Sequence, residues 1–442
     1  MKTFANTVAN PTANPAVLNR RQIVKASAAG AGLLSAGWLS GCATGGNGPK
    51  VVVVGGGYGG ATAAKYLRLW SDGALNVTLV EPNAAFVSCP MSNLVLGGSQ
   101  TMADITTSYD NLARRHGVNV VRDMVTSIDA DKRTVKLAGG AELAYDRLIV
   151  SPGVDMMWET LPGMNKPGAQ DKVLHAWKAG PQTVALRQQL EAMPDGGVYA
   201  LSIPLAPYRC PPGPYERACQ IAAYFAKAKP KSKVLLLDAN DDVTSKGSLF
   251  KKAWADRYMG LIEYRPKHTV LDVDAATNTL KFEFNDDIKV NVLNVLPAMR
   301  AGDIAVKTGL ATANKRWCEV DFLTFESKAA KNIHVIGDSI QIAALMPKSG
   351  HMANQHAKTC AAAVVALLTG QMPNQNPIYN NTCYSFVSPD EVIHVSSVHA
   401  YNATAKTMSV VAGAGGVSAA ASPLEGAYAK GWAKNIWADA LA

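Results

Sequence analysis

Cys210-Pro211-Pro212-Gly213-Pro214-Tyr215-Glu216 puts a thiol and a carboxyl where a phosphate-binding loop is expected. Val198 to Ile203 is an apolar run, Tyr215 to Ala228 has helical apolar spacing, and Lys233 to Asp238 is a second apolar run ending in an acid. That order is strand, loop, helix, strand. A dinucleotide-binding unit would carry GxGxxG in its first loop, so that bare backbone N–H groups reach a pyrophosphate. Here the loop from Pro204 to Pro214 holds five prolines and a cysteine. Proline has no N–H to donate. The unit is therefore expected to keep its scaffold, to lack a nicotinamide site and to present a thiol instead.

An intact phosphate loop lies earlier. Val51 to Val54 reads as a buried strand, followed by Gly55-Gly56-Gly57-Tyr58-Gly59-Gly60 and the helix-forming run Ala61 to Trp70. Gly55, Gly57 and Gly60 fill the GxGxxG positions, serving the tight turn, the approach of the pyrophosphate and helix-on-strand packing. The next strand, Asn76 to Val80, ends in Glu81, about twenty residues on, where a carboxylate accepts ribose hydroxyls.

Two later segments indicate the dinucleotide. Tyr145-Asp146-Arg147-Leu148-Ile149-Val150-Ser151-Pro152-Gly153 resembles the strand and turn that follow the first nucleotide unit of two-dinucleotide flavoproteins. Ile333 to Asp338 resembles their late motif, in which Gly337 and Asp338 would meet the ribityl chain of FAD. Met346-Pro347-Lys348-Ser349-Gly350 precedes a helical run, His351 to Leu368, whose positive N-terminal end suits an anionic reduced flavin ring. The cofactor expected is FAD, with Lys348 and Ser349 beside it.

These strings, with Arg209–Arg217 (RCPPGPYER), Asn354, Lys358 and Asn381-Thr382-Cys383-Tyr384-Ser385, resemble the flavoprotein subunit of flavocytochrome c sulfide dehydrogenase, in the wider sulfide:quinone oxidoreductase group. The resemblance spans nearly the whole chain beyond the leader and implies four assignments. Cys89 carries FAD covalently, although its neighbours Val87, Ser88 and Pro90 depart from the family pattern; the alternative is a buried free thiol beside a non-covalent flavin. Cys210 and Cys383 form a redox-active disulfide, which sulfide, a soft nucleophile, would open; the alternative is a staple worth about 5 kcal/mol by chain entropy. Glu216 shuttles protons, or simply suits a helix start. Electrons pass to a c-type cytochrome on a separate chain, since no CxxCH is present.

Of the seven cysteines, Cys219 and Cys360 read as core residues, and Cys318 has no assigned role. No metal-ligand spacing occurs.

The N-terminus carries Asn19-Arg20-Arg21-Gln22-Ile23-Val24-Lys25, a twin-arginine pattern, then an apolar stretch from Ala26 to Leu39. That stretch is shorter than the ~20 residues that span a bilayer and suits a signal peptide. Leu39-Ser40-Gly41-Cys42 also resembles a lipoprotein box, which would tether Cys42 to a membrane. Either way a periplasmic, disulfide-permitting compartment is expected. The net charge is +9, and four of the basic residues lie in the leader. No basic run with interleaved aromatics suggests nucleic acid. A mildly basic surface suits small anions such as HS⁻.

The expected fold class is α/β: a two-dinucleotide-binding-domain, glutathione-reductase-like flavoprotein with tandem Rossmann-type domains and a C-terminal α+β domain. The leader occupies 1–42. An FAD domain is split between 50–183 and 298–370, a degenerate NAD-type domain fills 184–297, and a C-terminal interface domain runs over 373–442. Ala412 to Ala421 reads as a surface loop, and Leu424 to Leu441 as a helix packed on the body by Tyr428, Trp432 and Trp437. The activity expected is sulfide–cytochrome c reductase. Sulfide:quinone oxidoreduction, NADH-dependent disulfide reduction and a non-catalytic FAD electron-transfer partner are the alternatives.

Overall fold

Four consecutive valines demand a strand covered on both faces. Lys50–Val54 is the middle strand of a five-stranded sheet, in the order Ile333–Val335, Arg147–Val150, Lys50–Val54, Asn76–Val80, Asn119–Val121, with every pair parallel. The computed structural model describes residues 48–442; the twin-arginine leader and Cys42 lie outside the described residues. Val54 pairs with both Val80 and Val150, so Gly55, Glu81 and Ser151 emerge side by side at one edge. That carboxyl end is where open α/β sheets bind ligands.

The helix after the first strand runs Tyr58–Trp70, one turn earlier than the Ala61 start expected from helix formers. Gly59 and Gly60 are helical and buried because the first turn lies against the strand too closely for side chains. A Cβ on Gly60 would sit 1.7 Å from the Gly55 carbonyl oxygen.

The second nucleotide-type unit forms a four-stranded parallel sheet, ordered Ile262–Arg265, Lys233–Asp238, Val198–Ile203, Val292–Val295. The Cys210 loop leads from its central strand into the helix Gly213–Ala228, with Pro214 in the first turn, where a missing N–H costs nothing. The alternating stretch from Thr279 yields only the short strand Thr279–Lys281, and Phe284 is left exposed.

The C-terminal part is an antiparallel sheet of Ile378–Phe386, Val392–Asn402 and Thr407–Val410, followed by the helix Pro423–Leu441. Within the expected 412–421 loop, Gly416–Val417 pairs with Ser396 and Val395, a two-residue strand too short to register in sequence. The last helix packs on the first: Lys65 Nζ donates to the Ala438 carbonyl at 3.0 Å, and Trp437 Nε1 donates to Tyr58 Oη at 2.9 Å. Among the described residues no helix is long and apolar enough to cross a membrane.

Candidate active site

The edge where Gly55, Glu81 and Ser151 emerge opens into a cavity of about 750 Å³, within the ~300–1,000 Å³ common for cofactor sites. Gly55 takes φ +93°, and its Cβ would strike the Ser151 carbonyl at 2.4 Å, so the turn admits only glycine. Gly57 differs. Its φ is −69°, which any residue adopts, yet nothing lies within 4 Å of its ideal Cβ. The bare backbone there faces open cavity, and the helix it begins has neither a side-chain cap nor an acid in its first turn. Free N–H groups and a positive dipole end directed at open space form an anion cradle. Glu81 is buried beside it: one carboxyl oxygen accepts the Gly56 amide at 2.6 Å, and the other accepts the Asn83 amide at 2.8 Å and its side chain at 2.6 Å. These residues fit the adenosine and pyrophosphate half of a flavin dinucleotide.

Along the same wall lie Cys89, Cys210, Glu216, Gly337, Asp338, Ser349 and Cys383. Ser349 caps the helix Gly350–Leu368 by accepting the Met352 amide at 3.1 Å and donates to Asn381 at 2.7 Å. This joins the expected flavin-edge helix to the strand carrying Cys383. Gly337 sits at φ +74°. Burial pushes the Asp338 carboxyl pKa up, eased by the nearby charges of Arg209 and Lys348. Cys89 follows the strand Ala85–Val87, and its sulfur accepts the Ala179 amide at 3.5 Å.

Lys348 does not line the cavity. Its Nζ donates to the carbonyls of Asp338 at 2.8 Å and Ile340 at 2.6 Å, and stands 3.6 Å from the centroid of the Trp317 ring. Those partners satisfy an ammonium in the protein interior, which corrects the expected flavin contact. Its carbonyl still serves the site by accepting the Cys210 amide at 2.9 Å.

Cys210 and Cys383 reach one cavity from different domains. Cys210 holds a left-handed φ of 59° in the proline loop, and Trp177 Nε1 fixes the preceding Arg209 carbonyl at 3.1 Å. Cys383 lies on Ile378–Phe386, opposite Val395. The expected disulfide is not formed: both are free cysteines. Burial pushes the Cys210 thiol pKa up, and the nearby Cys383 and Glu216 push it further; burial also raises that of Cys383. Burial thus opposes ionisation of both thiols, while Lys246 pulls the other way at Cys383. Cys219, Cys318 and Cys360 are fully buried and away from this wall.

Glu216 ties the two domains together. Its Oε1 accepts the Phe386 amide at 3.1 Å and its Oε2 accepts Asn93 Nδ2 at 3.2 Å. Burial raises its pKa against the opposing pull of those hydrogen bonds and of Lys246 and Arg217. Arg217 is buried with its guanidinium bonded to Asn93, Asn294 and the carbonyls of His175 and Ala176. Asn93 carries no signal in the sequence, since only folding places it between Glu216 and Arg217. Lys246 was missed altogether. A lysine just before a helix start, where a cation opposes the dipole, was the available signal.

The second nucleotide unit has filled its coenzyme site from within. Asp238, the acid that ends the second apolar run, is fully buried and accepts Tyr215 Oη at 2.7 Å, Tyr264 Oη at 3.1 Å and the Asn240 amide at 3.0 Å. Phe250 and Trp254 stack around Tyr215 at centroid distances of 5.7 and 6.3 Å. Its carboxylate oxygens are thus engaged by the protein's own donors.

Comparison with known proteins agrees with this architecture. Residues 183–297 match the family model "Sulfide dehydrogenase [flavocytochrome c] flavoprotein chain, central", 375–441 match "Flavocytochrome c sulphide dehydrogenase, flavin-binding", and 49–193 match "Pyridine nucleotide-disulphide oxidoreductase". The sulfide dehydrogenase flavoprotein chain of Chlorobaculum thiosulfatiphilum is 65% identical over 46 residues, which are 94% of that sequence and 10% of this chain. The mouse mitochondrial sulfide:quinone oxidoreductase is 27% identical over 320 residues, 67% of each chain. The solved sulfide:quinone oxidoreductase of Aquifex aeolicus superposes with a TM-score of 0.71 at 17% identity, over 89% of this chain and 91% of that one. The fold is thus that of two-dinucleotide-binding flavoproteins, and the chain belongs to the family of flavoprotein chains of flavocytochrome c sulfide dehydrogenase.

Proposed function

We propose that this protein binds FAD in the 750 Å³ cavity and oxidises sulfide to sulfane sulfur or polysulfide through Cys210 and Cys383. The observation that carries the reading is that two cysteines from distant parts of the chain open onto the same cavity as an intact phosphate loop. A bound flavin supplies the acceptor for two electrons and returns them singly to a one-electron partner.

The residues of the chain perform the sulfur chemistry. HS⁻ attacks one sulfur of the oxidised Cys210–Cys383 pair, the S–S bond breaks, and a persulfide and a thiolate result. A second HS⁻ takes the outer sulfur of the persulfide as HSSH and leaves two thiolates, which take up two protons to give the dithiol, the form with both cysteines free. Glu216, its pKa raised by burial, is the carboxyl placed to exchange protons beside that pair. Arg209, on the cavity wall next to Cys210, attracts the anion. Cys89, on the same wall, is the residue to which the flavin would be covalently linked.

The acceptor we propose is a c-type cytochrome. A second, open cleft of about 550 Å³ shares His351, Tyr384 and Trp432 with the inner cavity, so these aromatic side chains lie between the cofactor space and that surface cleft. The likeness to sulfide:quinone oxidoreductases favours quinone as the second reading; the chain spans about two thirds of the length of the mouse enzyme. Export by the twin-arginine route, read from Arg20 and Arg21, would suit a protein that folds around its cofactor before transport.

The test is anaerobic addition of sulfide to the purified flavoprotein. Sulfide should bleach the flavin absorbance, NADH should not, and Cys210→Ser and Cys383→Ser should bind flavin without bleaching. Bleaching by NADH alone rejects the assignment. Reduction of cytochrome c compared with a short-chain ubiquinone decides the acceptor.

A further inference from the structure

Lys246 is a buried lysine, its pKa pushed down by burial, without a local reason to be there. It is 8% exposed, and no carboxylate forms an ion pair with it among the described residues. Its Nζ donates to the Cys383 carbonyl at 2.8 Å and to Ser385 Oγ at 2.8 Å, leaving one N–H without an acceptor among the described residues. The residue is also left-handed, at φ 57°, a conformation that side chains other than glycine hold at a cost. It caps the N-terminus of the helix Gly247–Arg257, the end at which positive charge is disfavoured. Three unfavourable features at one position imply an anion close by that repays them.

The groups whose charge reaches Lys246 are Cys383 on its strand, Glu216 on its helix, Cys210 in its loop and Glu425 on the last helix. Glu425 is occupied by Ser418 Oγ at 2.6 Å and His394 Nδ1 at 2.9 Å. Glu216 is bonded to the Phe386 amide and Asn93, and burial favours its neutral form. The thiols remain, and Cys383 is the one whose residue Lys246 holds, through its backbone carbonyl.

We propose that Lys246 is the counter-ion of the redox pair, a positioning residue that meets the negative charge left on Cys383 when the pair is opened. The inference rests on the reading of Cys210 and Cys383 as a redox pair. When HS⁻ adds to Cys210 Sγ, the S–S bond breaks and its electron pair stays on Cys383 Sγ. A fixed ammonium stabilises that thiolate without reorganising. The oxidised pair is renewed by loss of two electrons to the flavin acceptor. Lys246 is the charge that opposes burial at the Cys383 thiol, whereas at Cys210 the guanidinium of Arg209 comes first.

The test uses the whole flavoprotein, reduced anaerobically and freed of reductant. The rate at which iodoacetamide alkylates Cys383 is followed by peptide mass across pH in wild type, Lys246→Gln and Lys246→Arg. Glutamine keeps N–H donors on a side chain one atom shorter and removes the charge. The expected result is an upward move of the Cys383 midpoint by about one pH unit in Lys246→Gln, roughly tenfold less thiolate below it, with Lys246→Arg close to wild type. Coincident wild-type and Gln profiles overturn the proposal. A second measurement needs no variant: by linkage, the amine of Lys246 must titrate higher in the reduced than in the oxidised wild type, read by competitive acetylation. Equal midpoints overturn the proposal as well. Neither readout uses sulfide, so failure of sulfide to bleach the flavin rejects the substrate and leaves these profiles to judge Lys246.

Discussion

Glu216 Oε1 accepts the backbone amide of Phe386 at 3.1 Å, joining the helix that follows Cys210 to the strand that carries Cys383. One carboxyl thus sets how two domains present their thiols to one cavity. Gln220 Nε2, a turn later, repeats the link by donating to the carbonyls of Phe386 and Ser388, each at 3.0 Å.

Glu216→Ala should therefore weaken the fold as well as the chemistry. It leaves the buried Phe386 amide without its acceptor, while the Asn93 side chain keeps the Gly213 carbonyl at 3.2 Å, a loss on the order of 1–3 kcal/mol. Glu216→Gln, which keeps one acceptor oxygen, should cost less in a urea melt. Both variants should bleach with sulfide more slowly than wild type. Equal urea midpoints for Ala and wild type would show that the link carries no load.

Gly57→Ala and Gly60→Ala should separate cofactor binding from folding. Gly60 has the Gly55 carbonyl 1.7 Å from its ideal Cβ, so alanine must force helix from strand at a cost of about 3 kcal/mol or more. Gly57 has an unstrained φ and empty space, so its alanine should fold with a stability within about 0.5 kcal/mol of wild type. It should nevertheless lose bound flavin, because the methyl occupies the approach to the helix amides. Flavin absorbance per chain and the thermal midpoint, measured on both variants, check the contrast; full flavin content in Gly57→Ala would mean that the phosphate lies elsewhere.

Lys348 should make stability depend on alkaline pH. Burial pushes its ammonium down to about 7 from 10.5 in the unfolded chain. Between those values the unfolded state holds the extra proton, so stability rises with pH by up to about 1.4 kcal/mol per pH unit. The contribution is fully present above 10.5 and is lost as pH falls through about 7. Wild type should gain on Lys348→Met between pH 7.5 and pH 9 in urea titrations; parallel curves would show that the ammonium keeps its ordinary affinity for protons.

Cys89 should hold the flavin through denaturation. Its place on the cavity wall, beside the Ala179 amide, makes it the cysteine to test. Acid-precipitated wild type should stay yellow and yield a Cys89 peptide heavier by one flavin, while Cys89→Ala should release its colour to the supernatant. Release from wild type would establish a non-covalent cofactor.

Local pattern alone determined a large part of this protein. The valines at 51–54, the glycines after them and Glu81 define a nucleotide unit because period, turn chemistry and spacing act within thirty or so residues. The proline loop around Cys210 announced the loss of a coenzyme site for the same reason, since a residue without an N–H cannot donate wherever it folds. Tertiary structure decided what depends on contacts distant in sequence. It closed the second site with Tyr215 and Tyr264 on Asp238, turned Lys348 toward carbonyls instead of the cavity, and brought Lys246 beneath Cys383. A lysine's partners are set by which elements pack over it, and its own neighbours in the chain carry no trace of them.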